Sequence, residues 1–92
     1  MNTYELTILF ADGDDQNRER VIKMIESFAK KAKGEVNKQE SWGSKHLAYP
    51  IKKMGSAVYE HFLLTLDGRA QVELEKTLKL DESLLRYMFV RV

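Results

Sequence analysis

The hydrophobic spacing of this chain alternates between a period of two and a period of 3.6, and the order of the switches leaves few folds open. From Thr3 to Phe10 the period is two: Tyr4, Leu6, Ile8 and Phe10 fall on one side, Thr3, Glu5, Thr7 and Leu9 on the other. That is the spacing of a strand with one core face. From about Gln16 to Lys33, Val21, Ile25, Phe28 and Ala32 recur at helical spacing, and Ile22, Met24 and Ala29 widen the stripe. Period two returns in Glu35–Glu40, a mostly polar run of edge-strand type. It continues through Ser41-Trp42-Gly43, where glycine predicts a bulge or bend, into Gly43–Lys52. Ala57–Leu66 carries large apolar groups on both faces, with Val58, Phe62, Leu64 and Leu66 opposite Tyr59, His61, Leu63 and Thr65, and is expected as a central strand. Arg69–Lys79 is a second helix on Ala70, Leu74 and Leu78. Leu85–Val92 is a last strand, with Tyr87 and Phe89 opposite Arg86, Met88 and Val90.

Strand, helix, strand, strand, helix, strand is two interleaved right-handed crossover units. They predict an α+β, ferredoxin-like βαββαβ fold: one domain over residues 1–92, a four-stranded antiparallel sheet, both helices on one face. The first and third strands are central, the second and fourth are edges. Pro50, the only proline, agrees, because it cannot donate to a ladder and so belongs on an edge or a hairpin arm. Asp12–Asp15 forms a turn with Asp14 or Asp15 placed to cap the first helix. Lys30, Lys31 and Lys33 crowd its last turn, and Gly34 supplies its stop. Lys53–Ser56 is expected as a tight connection. Glu60 falls on the apolar face of its strand and is expected near a strand end, where its carboxylate reaches water.

Charge and composition exclude several functions. With a formal net charge of +1, nucleic-acid binding needs a local basic patch. There is no cysteine, so thiol catalysis and thiolate metal sites are out. No run approaches a membrane span and no signal pattern opens the chain, which leads to an expected cytoplasmic location. His46 and His61, the only histidines, have no metal-ligand spacing. No serine has a nucleophile-elbow context and no glycine-rich phosphate loop occurs. The acidic residues Asp12, Asp14 and Asp15 lack the closing glutamate of a calcium loop. No catalytic residue, metal, cofactor or small-molecule substrate is therefore expected.

Two surfaces suit macromolecules. Gly43–Lys52 presents Lys45 and His46 ahead of an apolar arm, Leu47–Ile51, that ends in Lys52-Lys53. Trp42 and Tyr49 lie beside these groups, either stacking on bases or packing. The helix-free sheet face is predicted to carry Leu9, Tyr59, His61, Leu63, Met88 and Val90, an apolar patch fit for a partner. Within it Tyr59, His61, Met88 and Val90 are the candidate partner contacts.

At Gly43, Lys45, His46, Leu47, Ala48, Tyr49, Ile51 and Lys52 the chain resembles the signature of the bacterial small-subunit ribosomal protein S6 family. Tyr4-Glu5, Leu74-Glu75, Leu78–Glu82 and Leu84–Tyr87 match in the right order, so the resemblance spans nearly the whole chain. It implies a non-enzymatic structural protein of the small ribosomal subunit. Such a protein binds the central domain of small-subunit ribosomal RNA together with ribosomal protein S18. By position, Lys45, His46 and Arg86 fill polar and basic RNA-contact places, while Leu47, Ala48 and Ile51 shape the arm. Lys52 and Lys53 join them as candidates through their cluster on the arm. Two departures stand out. Asn2 and Thr3 replace the basic residues that often precede Tyr-Glu. The tail that many members carry beyond the last strand, with any partner contact it makes, is not expected here.

Rivals share the fold. A ligand-sensing regulatory module is the alternative function; it needs a glycine-rich ligand loop, which the chain lacks. An acyl-phosphate hydrolase needs an anion-cradling loop beside an arginine and an asparagine, a setting that Asn2, Asn17 and Asn37 do not have. The single-stranded RNA-recognition module needs an aromatic third-strand motif that Tyr59-Glu60-His61-Phe62 does not supply.

Overall fold

Residues 1–92, described by a computed structural model, run β1 (Asn2–Ala11), α1 (Asp15–Lys31), β2 (Glu35–Ile51), β3 (Met54–Leu66), α2 (Gly68–Leu80) and β4 (Leu84–Arg91). All strand pairs are antiparallel and the sheet order is β2-β3-β1-β4. This is the expected ferredoxin-like arrangement, with β1 and β3 central.

The core lies between the sheet and the helices. Tyr4, Leu6, Ile8 and Phe10 of β1 oppose Leu64, Phe62, Glu60 and Val58 of β3. On the other side of β1, Leu6, Ile8 and Phe10 oppose Phe89, Tyr87 and Leu84 of β4. Val21, Ile25 and Ala29 of α1 and Leu74 and Leu78 of α2 close over them. Each large side chain buried this way stabilises the fold by about 1.5–3 kcal/mol. The buried line of α1 runs 21-25-29, one residue in every four. Phe28 and Ala32, expected on the stripe, flank it half-buried.

The helix ends depart from expectation in two places. Asp14 is the N-cap of α1, but its side chain caps no backbone amide; both carboxylate oxygens accept from Asn17 Nδ2, at 3.1 and 2.9 Å. At the other end Lys33, not Gly34, takes the left-handed conformation, with φ 59°. Lys33 N–H donates to Lys30 O and Gly34 N–H to Ala29 O, the bond pair of a Schellman ending. Gly34 is needed for a different reason: a Cβ there would lie 2.2 Å from the Thr65 carbonyl oxygen. The backbones of the β2 approach and β3 touch at that point.

Glu60 corrects the expectation of a water-exposed carboxylate. It sits mid-strand opposite Ile8 and is 0% exposed. Arg18 Nη1 of α1 donates to its Oε1 at 2.9 Å and Gln39 Nε2 of β2 donates to its Oε2 at 2.8 Å. Alternation gave the correct face; the solution to its charge is an arginine from the helix above. The bond to Glu60 is the main cause raising the Arg18 pKa above its ordinary value.

As expected, the second strand continues past Gly43, and β2 is a single strand of 17 residues. Its register against β3 shifts at Val36/Lys38, at Ser41/Gly43 and between His46 and Ile51. Gly43, with φ 76°, provides the expected bulge. After the His46–Ser56 pair, Leu47–Pro50 stand against Gly55 alone before Ile51 pairs with Met54. The proline lies in this unpaired excursion, where no donor is required. The hairpin turn is therefore Lys52-Lys53, not Lys53–Ser56. Both lysines have positive φ, 50° and 67°, as a two-residue primed turn demands.

Candidate nucleic-acid interface

The helix-free face of the sheet is layered by register. Glu40, His61, Thr7 and Met88 form one row across β2, β3, β1 and β4; Tyr59, Leu9 and Arg86 form the next toward the hairpin. His61 Nδ1 and Thr7 Oγ1 share a hydrogen bond of 3.0 Å. The His61 ring stacks on Trp42, with centroids 4.6 Å apart and planes 13° from parallel. Lys45 Nζ lies over both Trp42 and Tyr59, at 5.4 and 5.3 Å from the ring centroids, close enough for cation–π attraction. Trp42 Nε1 donates to Glu40 Oε2 at 3.0 Å, and Lys38 Nζ sits 2.6 Å from Glu40 Oε1. Lys38 first, and Trp42 second, hold the Glu40 carboxyl below its usual range.

Trp42 therefore packs on its own sheet, and Tyr59 and His61 are half-buried beneath it and Lys45. Met88 and Val90 are open, at 47% and 56% exposure. Leu9, expected on the open face, is instead buried. The excursion Leu47–Pro50 explains the difference, because Leu47, Ala48, Tyr49 and Ile51 line one groove with Leu9, Tyr59, Arg86 and Met88. Tyr49 stands on its rim, 84% exposed.

The basic candidates gather at the hairpin end. Lys45, His46, Lys53 and Arg86 are exposed. Lys45 and His46 pair with Ala57 and Ser56 of β3. Arg86, on β4 opposite Leu9, bounds the apolar groove and, on its other side, a second groove that it shares with Lys52. Lys52 differs from the rest: its Nζ donates to the carbonyl of Leu84 at 2.9 Å and lies 3.4 Å from that of Glu82.

Two fastenings hold this end in shape, and sequence reasoning found neither. One is Lys52. The other is Asp12, whose Oδ2 accepts from Ser44 Oγ of β2 and Ser56 Oγ of β3, each at 2.6 Å. Those hydroxyls hold the Asp12 carboxyl below its ordinary value, Ser44 first. An acid after the first strand, a serine within the signature and another beyond it are the only sequence signals, and they are shared by many unrelated turns.

The arrangement offers cations, hydroxyls and aromatic surface. No group of His, Asp or Glu side chains is placed to hold a metal ion, and no helix is long and apolar enough to cross a membrane.

Comparison with known proteins gives a consistent picture. The family model described as ribosomal protein S6 matches residues 3–91. The small ribosomal subunit protein bS6 of Pelagibacter ubique is 40% identical, over 100% of this chain and 77% of its own length. The bS6 protein of Bdellovibrio bacteriovorus is 32% identical, over 97% of this chain and 59% of its own length. The crystal structure of 30S ribosomal protein S6 from Thermotoga maritima superposes with a TM-score of 0.88 at 25% identity, covering 99% of this chain and 87% of that one.

Proposed function

The chain belongs to the ribosomal protein S6 family, and from that premise we propose that it is a non-catalytic, structural, RNA-binding protein of the small ribosomal subunit. In this reading it binds the central domain of small-subunit ribosomal RNA jointly with ribosomal protein S18, and works in the cytoplasm on the ribosome. The observation that carries the reading is the gathering of Lys45, His46, Lys53 and Arg86, all exposed, at one end of the sheet in a chain of net charge +1. These side chains meet phosphate and sugar groups. With about three to five ionic contacts, the salt dependence is shallow and affinity alone is modest. Partner docking makes up the difference. Met88 and Val90 are open apolar residues on β4, Met88 sharing a row with the half-buried His61 across Thr7 and Val90 lying farther from the basic end, and this strip, with Tyr59 and His61, supports a partner's seat. Two proteins side by side then present one basic surface, and each raises the other's affinity for RNA.

The test is titration of a central-domain RNA fragment with this protein, with and without S18, at two salt concentrations. Tight binding with both proteins and weak binding with either alone is expected. Equal RNA affinity in the presence and absence of S18 would remove the joint surface. No binding in either case would remove the RNA role and favour the ligand-sensing module.

A further inference from the structure

The sheet order puts β1 between β3 and β4, yet the tip of the β2–β3 hairpin reaches β4. The ladder shows how. β3 runs on past its last pair with β1, Ala57 with Ala11, through Met54, while β4 begins at Leu84, opposite Phe10. The hairpin overhangs the end of β1 and bends across it. At the tip Lys52 spends its ammonium on the carbonyls of Leu84 and Glu82. Those acceptors lie where α2 has ended and β4 is starting, Glu82 before the strand and Leu84 at its first residue, so the lysine fastens the hairpin tip to the start of β4.

The turn is held in an unfavourable backbone state while doing this. Both lysines have positive φ, a conformation costing about 1–2 kcal/mol per residue for side chains larger than glycine. Yet their side chains have different fates. Lys53 has no hydrogen bond or ion pair within the protein, whereas Lys52 has two carbonyls. Arg86 lies two residues beyond Leu84 and shares a groove with Lys52.

Resting on the RNA-binding reading above, we propose that Lys52 is a positioning residue of that interface and not one of its phosphate ligands. Its ammonium ties the hairpin tip to the start of β4, and so fixes Lys45, His46 and Lys53, carried on the hairpin, against Arg86, carried on β4. Asp12 fastens the base of the same hairpin through Ser44 and Ser56. The tip and the base together set the spacing of the cations.

The experiment compares Lys52→Met with Lys53→Met. Both variants remove one charge from the same turn, and both keep an unbranched side chain at a positive φ. RNA affinity is measured as a function of salt with S18 present, together with hydrogen exchange of the Met54–Ser56 amides in the free protein. Loss of a phosphate contact lowers the salt slope by about 0.7–0.9, and Lys53→Met is expected to do this. Lys52→Met is expected to keep the wild-type slope, lose affinity by about fivefold and exchange faster at the hairpin tip than Lys53→Met. A slope lowered as much as in Lys53→Met would make Lys52 a phosphate ligand and overturn the proposal. Unchanged affinity and unchanged exchange would overturn it too. If the wild-type protein does not bind the RNA, the functional reading fails and the positioning role goes with it; exchange still reports whether the tie exists.

Discussion

Arg18 of α1 and Glu60 of β3 form a 2.9 Å ion pair in which the carboxylate is wholly buried and the arginine side chain is a quarter exposed. It is the one charged link between the helix layer and the centre of the sheet. Gln39 satisfies the second carboxylate oxygen from the neighbouring strand. Arg18→Met strands the buried carboxylate and is expected to cost about 3 kcal/mol, whereas Glu60→Leu is expected to cost less, because Arg18 is a quarter exposed and keeps Asp15 Oδ1 at 3.2 Å. The double variant Arg18→Met/Glu60→Leu is expected to lose much less than the sum. Urea denaturation of the three proteins checks this; additive losses would show that the two residues act independently.

The end of α1 separates two kinds of glycine requirement. Gly34→Ala places a methyl 2.2 Å from the Thr65 oxygen and 2.9 Å from Leu66 Cδ2, and is expected to destabilise by about 1–3 kcal/mol. Lys33→Gly, one residue earlier, frees a left-handed backbone position and is expected to stabilise by up to about 1 kcal/mol. Opposite shifts of the thermal midpoint are the expected outcome; shifts of the same sign would contradict it.

The hairpin turn couples stability against function. Lys53, at φ 67°, is exposed and free, and glycine is the residue that a primed turn prefers there. Lys53→Gly is expected to raise stability by about 1 kcal/mol while weakening RNA binding and lowering its salt slope. Calorimetry and the RNA titration together test the pairing of gain and loss. A variant that gains stability and keeps its full RNA slope would take Lys53 out of the interface.

Acid is expected to loosen the hairpin base. Ser44 and Ser56 lower the Asp12 carboxyl below its ordinary 3.8. A carboxyl depressed in the folded state contributes stability above its unfolded value and loses it as pH falls through the folded one. The Asp12 fastening is therefore complete at neutral pH, weakens only as pH falls below the ordinary 3.8 and is lost as pH falls through the lower folded value. An NMR titration of the Asp12 carboxyl in wild type and in Ser44→Ala/Ser56→Ala is expected to show the variant titrating at higher pH. Identical titration curves would mean that the serines do not hold it.

Much of this molecule is legible in sequence because its information is periodic. Alternation placed Tyr4, Leu6, Ile8 and Phe10 on the core face, and Met88 and Val90 on the open one. The order of periods led to the sheet and both helices. What escaped is what period cannot carry. The face of Glu60 was readable; its partner, 42 residues earlier on a helix, was not. Leu9 has the alternation of an exposed residue and is buried because an unpaired four-residue excursion folds across it. Gly34 announced a left-handed stop, but close contact with the Thr65 carbonyl reserved it, and Lys33 took the strained position. Lys52 has the same sequence character as Lys53, and only the geometry of β4 distinguishes them.

The ladders also bear on the order of assembly. β2 and β3 are joined by a two-residue turn, whereas β4 must find β1 from the far end of the chain, with Tyr4 opposite Arg91. Closing so long a loop carries the larger entropic cost, and this pairing is expected to form late. Arg86 and the carbonyls that receive Lys52 all belong to that late strand or the residues leading into it. A chain caught before β4 docks has its hairpin lysines but not their counterpart, and its tip is unmoored. On the proposed RNA-binding reading, the basic surface then doubles as a maturity check, complete only in a chain whose sheet has closed.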